Sequence, residues 1–177
     1  MGVRTIHLTL SALFIAMGIL IPILFHMIGM GSVFLPMFWP IAICGFFLPF
    51  QYAIIVGGLT PVLSSLMTGM PPQPILTKMI FELVFLAGSI NLLYEKTRWG
   101  SLWIVFIGIV ISRIVLLVGS AAIAPILGLP AEWYAIASLF KSIPGIIILL
   151  VVTPVIIKKI KGELIFRMRG IRVQSAS

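Results

Sequence analysis

The sequence predicts an all-α, polytopic membrane protein with six transmembrane helices and both termini in the cytoplasm. Three observations carry this reading. The chain is 61% hydrophobic and 9% charged, with a mean hydropathy of +1.26, whereas a soluble domain is about a quarter charged. Apolar runs recur at the length a membrane helix needs, about 20 residues. Basic residues gather in alternate connections, which is the positive-inside pattern more than a nucleic-acid footprint.

Taken in order, the predicted helices fall at about 5–24, 33–48, 52–67, 76–94, 101–123 and 135–157. Residues 1–160 thus form one membrane domain, and 158–177 a basic tail. The first run follows MGVRTIHLTL, which has one arginine and no small-residue cleavage site after the run. It reads as a retained span and not a removed signal peptide. The second and third runs lie in FLPMFWPIAICGFFLPFQYAIIVGGLTPVLSSLMTGMPPQP, residues 34–74, which carries no charge. Each is short for a span, and prolines enter at 36, 40, 49, 61, 71, 72 and 74. A bilayer tolerates such breaks where neighbouring helices cover the freed backbone groups.

The connections near FHMIGMGS, TGMPPQP and APILGLPAEWY hold no Lys or Arg. The opposite side holds Arg4, then Lys96 and Arg98, then Lys158, Lys159, Lys161, Arg167, Arg169 and Arg172. That places the three Gly/Pro/Met-rich loops outside. The basic tail suits contact with anionic lipid or docking of a partner.

Four charged residues fall inside predicted spans: Lys78, Glu82, Arg113 and Lys141. Each costs at least ~2.5–3.5 kcal/mol to place in lipid, so each is expected to face protein or water. At ~1.5 Å per residue all four can reach one cavity in the outer half of helices 4 to 6. Helical spacing groups Lys78, Glu82, Phe85 and Ser89 on one stripe, and Ser112, Arg113, Gly119 and Ser120 on a second. Ser138, Lys141, Ser142 and Gly145 form a third. Three cations facing one carboxylate favour a ligand with an anionic or strongly hydrogen-accepting part. Structural roles compete. Lys78 and Glu82 are i,i+4 and can pair with each other, Lys78 can snorkel to the interface, and Arg113 can bond a carbonyl freed by a proline. His26 in the first outer loop and Met70 in the second are further contact candidates. Trp133, beside Tyr134, is either an interfacial anchor or a lid over a flat ligand.

Several chemistries lack their residues. There is no GxxxxGK[ST] loop, no HExxH and no GxSxG. Four acidic residues and one cysteine, Cys44, supply no metal cluster or disulfide framework. His7 and His26 fall on opposite sides of the predicted membrane. No metal, cofactor or catalytic residue is therefore expected; a binding and translocating subunit driven from elsewhere is.

Residues 34–74, continued by the KMIFEL of helix 4, resemble the substrate-binding S components of energy-coupling factor (ECF) vitamin transporters. In helix 1, SALFIAMG gives Ala12 and Ala16, similar to the AxxxA pattern by which that family docks on its transmembrane T component. Small residues one turn apart permit close helix approach. The resemblance implies a multi-pass protein of a prokaryotic plasma membrane with no enzymatic activity. It would capture a vitamin or vitamin precursor on the outer face. A T component and two cytoplasmic ATPases would drive uptake. Within that reading Glu82, Arg113 and Lys141 are the expected ligand contacts, with Lys78, His26, Met70 and Trp133 behind them; Ala12 and Ala16 form the docking face. The family's nickel and cobalt branch begins Met-His, whereas this chain begins Met-Gly-Val-Arg. Riboflavin, pantothenate, folate, a pyridoxine or thiamine precursor and a cobalamin fragment all stay open as ligands. A small membrane enzyme and a stand-alone secondary transporter are the rival functions.

Overall fold

The computed structural model describes residues 3–27, 29, 31–73, 75–127 and 142–174. All regular structure among them is helical. In chain order the helices are α1 (Val3–Met27), α2 (Gly31–Phe34), α3 (Phe38–Phe47), α4 (Phe50–Thr68), α5 (Ile75–Lys96), α6 (Ser101–Leu127) and α7 (Ile143–Gln174). The protein is an all-α membrane protein. Five helices, α1, α4, α5, α6 and the first part of α7, are long and apolar enough to cross a bilayer.

Its polarity is the reverse of a water-soluble bundle. Ile147, Val151 and Val155 on α7 are exposed at four-residue intervals, as are Phe106, Val110 and Ile114 on α6. In water such stripes would be aggregation surfaces; in lipid they are the natural exterior. The polar side chains Ser11, Thr60, Ser64, Glu82, Asn91, Ser112, Ser142 and Thr153 are buried instead. Several hydroxyls bond back onto their own helix: Ser11 Oγ donates to the His7 carbonyl at 2.7 Å, Thr60 Oγ1 to Val56 at 2.6 Å and Ser112 Oγ to Ile109 at 2.8 Å. That satisfies each hydroxyl without a partner helix.

Two predicted elements need correction. The expected span 33–48 is not one helix. Leu35 takes a left-handed φ of 48°, and Pro36 follows with no N–H to give. The chain turns there, with the Phe38 N–H bonding the Leu35 carbonyl at 2.9 Å. What remains is the four-residue α2 and the ten-residue α3. The other correction concerns the last helix. Its predicted end at 157 is not a boundary: α7 continues to Gln174, so the basic segment is helical. Its predicted start at 135 lies outside the described residues. Lys and Arg are good helix formers, so a change from apolar to basic composition does not by itself stop a helix.

Ten residues rise only about 15 Å, half of a ~30 Å hydrocarbon core. α3 succeeds because it lies within protein. Phe38 and Pro40 to Phe46 are all buried, and α1, α4, α5 and α7 pack around it. A helix apolar on every side is a core helix. Pro40 sits in its first turn, where the missing N–H would be unpaired in any case. At its far end Leu48 is extended, as a residue before proline prefers (φ −100°, ψ 149°). The Asn91 side chain on α5 closes that end by donating to the carbonyls of Gly45 at 3.1 Å and Leu48 at 2.8 Å. Sequence reasoning missed this residue, although it is the chain's single asparagine and lies in an apolar run.

α5 is the central helix, packed against α3, α4 and α6. Its contact with α4 depends on Gly57. A Cβ there would lie 2.8 Å from the Leu83 carbonyl oxygen, a backbone atom that cannot swing aside. At neighbouring Gly58 a Cβ would meet only the Val84 side chain, at 3.2 Å. Gly57→Ala is therefore expected to destabilise the folded protein by about 1–3 kcal/mol through overpacking. Gly58→Ala should be near neutral; equal effects in a detergent-unfolding titration would refute this account of the α4–α5 contact.

Candidate functional site

The charged residues of the membrane interior meet at one place. Arg113 on α6 brings Nη1 to 2.5 Å from Glu82 Oε1 on α5. Both side chains are nearly enclosed, 12% and 7% exposed. It is the single ion pair among the described residues. Charges of opposite sign buried together are what a low-dielectric interior requires. The cation also lies over an aromatic face, with Cζ 5.2 Å from the centroid of the Phe38 ring at the start of α3. Cation–π attraction of this kind strengthens when desolvated. The arginine is thus held by three elements: it belongs to α6, its charge is met from α5, and its face is covered by α3.

The pairing is incomplete. The contact is close in distance yet not aligned as a hydrogen bond, and Glu82 Oε1, Arg113 Nε and Arg113 Nη2 are buried with no hydrogen-bond partner among the described residues. Unmatched buried donors are rare in proteins because each costs about 1–3 kcal/mol. Trp39 Nε1 is likewise buried with no partner among the described residues. Its ring is packed edge-on by Phe25 of α1 at 5.5 Å, and Phe25 also touches Phe34 at 5.6 Å.

These residues cluster toward one end of the bundle. Phe25 ends α1, while Phe34, Phe38 and Trp39 surround the α2–α3 turn. Glu82 lies about two turns into α5. At the other end, the His7 ring of α1 lies tilted against Tyr52 of α4 at 5.3 Å and Phe46 of α3 meets Tyr94 of α5 at 5.3 Å.

The remaining predicted contacts divide. Lys78 is half-buried one turn before Glu82 and makes no ion pair among the described residues. The open question of a Lys78–Glu82 pair is answered: Glu82 pairs with Arg113. On the same helix Phe85, expected on the polar stripe, is exposed to the outside. His26 is exposed at the end of α1, and its ring covers buried Gly31, where a Cβ would come 2.6 Å from Nδ1. Lys141 and Trp133 lie outside the described residues. Met70 has an exposed side chain but a fixed backbone. Its carbonyl accepts from Ser64 Oγ at 2.9 Å and its N–H donates to Thr68 Oγ1 at 3.2 Å, while Ser65 Oγ holds the Pro71 carbonyl at 3.0 Å. Gly69 supplies the left-handed turn that makes this possible (φ +72°). The hydroxyls of SSLMT thus clamp the loop, a role the spacing did not suggest. Ala12 and Ala16 are both exposed on α1, one turn apart and away from its buried face of Ser11, Phe14, Gly18 and Ile19.

Sequence reasoning missed Phe38 at this site, because a ring over a cation is a tertiary contact with no local signal. No family model, curated protein or solved structure matches this chain.

Proposed function

We propose that the protein is the substrate-capturing S component of an ECF-type importer, with six membrane-crossing segments counting α3 together with α2. It would bind a vitamin or vitamin precursor from the outer side and deliver it with the help of a T component and two ATPases in a prokaryotic plasma membrane. The observation that carries this reading is the buried Arg113, held by Glu82 and Phe38 and still presenting donors unmatched among the described residues. An intramembrane charge of this kind is a functional site before it is a structural one. The proline-broken α3–α4 pair is consistent with the sequence resemblance of residues 34–74, and Phe38 of α3 covers the Arg113 face. The exposed Ala12–Ala16 stripe supports a docking surface, since small residues let another helix approach.

The test is reconstitution in vesicles with and without the coupling subunits. ATP-dependent uptake that requires them supports the proposal. Uptake by the chain alone favours a stand-alone transporter, and turnover of a substrate by the purified chain favours an enzyme. Within the complex, Ala12→Trp and Ala16→Trp should each reduce uptake by about tenfold or more, a cost of ~1.4 kcal/mol in assembly. Ligand affinity of the isolated chain should not change, because both positions face away from the bundle. Undiminished uptake in the double variant would remove this docking face.

A further inference from the structure

Arg113 offers its guanidinium in three directions, and two are occupied. Nη1 meets Glu82 and the flat face meets Phe38. The third direction is the edge formed by Nε and Nη2, both buried and unpartnered among the described residues. This is the fork edge of the side chain, where two N–H bonds run nearly parallel at the spacing of two carboxylate oxygens. Glu82 and Phe38 together fix the plane of the group, so the fork has one orientation.

We propose that this Nε/Nη2 edge anchors the ligand and that the ligand is a monocarboxylate, with Glu82 a positioning residue for Arg113 instead of a ligand contact. The proposal rests on the S-component reading for the site's use in transport and on the Arg113 geometry for the chemistry. Charge selects among planar acceptors. Among the described residues the formal charges inside the predicted spans are those of Arg113, of Glu82 paired with it, and of Lys78 one helical turn before Glu82, which together leave a single positive charge. A monocarboxylate neutralises it. A phosphate dianion overshoots it beside Glu82, and a neutral amide offers one acceptor where the fork has two donors.

The experiment uses the full chain in lipid nanodiscs. Thermal stability and Kd are measured with formate, acetate, nicotinate, pantothenate and biotin. The same measurements are made with nicotinamide, panthenol and biotin amide as neutral counterparts, and with inorganic phosphate. Carboxylates should stabilise the protein, with each neutral counterpart weaker by about tenfold or more. Arg113→Lys keeps the charge and loses the fork, so the best carboxylate should bind about 10- to 100-fold more weakly. Glu82→Gln should bind it about tenfold more weakly, because the fork is no longer held in one orientation, and should still prefer it to the neutral partner. Glu82→Asp, which keeps a carboxylate for Arg113, should recover part of that affinity, whereas a merely structural Glu82 would leave affinity unchanged in Glu82→Gln. The proposal is overturned if no carboxylate stabilises the chain, formate and acetate included. It is equally overturned if a neutral partner or phosphate binds as tightly, or if Arg113→Lys binds unchanged. ATP-dependent uptake of a neutral compound would sink the carboxylate and leave the transport reading standing. Carboxylate binding by a chain that recruits no coupling subunits would do the reverse.

Discussion

Arg113→Ala is expected to cost the folded protein about 3–5 kcal/mol and to abolish ligand binding. The stability loss arises because Glu82, 5% exposed, would be left without its cation. Removing one partner of a buried pair leaves an uncompensated charge, whereas replacing both with apolar residues of similar volume is often neutral or stabilising. The double variant Glu82→Leu with Arg113→Leu therefore separates the two effects. It should recover most of the stability in a detergent-unfolding titration and none of the binding. Recovery of both would mean the pair is assembly glue and the ligand is held elsewhere. Failure to recover stability would mean that Arg113 is needed for its contact with Phe38 more than for Glu82. Both variants should still insert, since α6 is apolar over far more than one residue.

What the sequence disclosed follows from which forces act locally. α4 and α5 begin and end within two residues of their predicted limits, because hydrophobic run length and the flanking Pro, Gly and Lys are local signals. The span predicted at 33–48 failed on the same logic. Its apolar composition satisfied a length rule, but whether the chain can break there depends on Leu35 turning left-handed and on Asn91, more than 40 residues away, accepting the break. The basic end of α7 failed differently: the change from apolar to basic composition marked the expected end of the helix, and the helix continues through it. At the site, the cost of charge in lipid flagged Glu82 and Arg113 separately. It did not decide between Lys78, one turn away, and Arg113, on the next helix, as the partner of Glu82. Nor did it suggest Phe38, whose ring brings the proline-rich hairpin to the ion pair.

Asn91→Leu is the second large effect expected, about 2–6 kcal/mol of destabilisation without direct contact to the site. The estimate follows from what the side chain does. Between α3 and α4 the helical ladder stops, because Pro49 has no N–H to continue it. The carbonyls of Gly45 and Leu48 then face a dry interior, and both accept from Asn91 Nδ2, itself 3% exposed. Leucine has similar volume and no donor, so two buried carbonyls would be orphaned, each at about 1–3 kcal/mol. In a soluble protein water could enter to satisfy them; at this depth in a bilayer it cannot do so cheaply. The consequence extends beyond stability. α3 carries Phe38 at its far end, so loosening the α3–α4 junction should let the Phe38 ring move off Arg113. Ligand affinity in Asn91→Leu is accordingly expected to fall, while Thr97→Val, which removes a hydroxyl bond within α5's own end, should leave it unchanged. Wild-type stability in Asn91→Leu would show that the break is satisfied by other groups, and the account of how so short a helix survives in the membrane would have to be replaced.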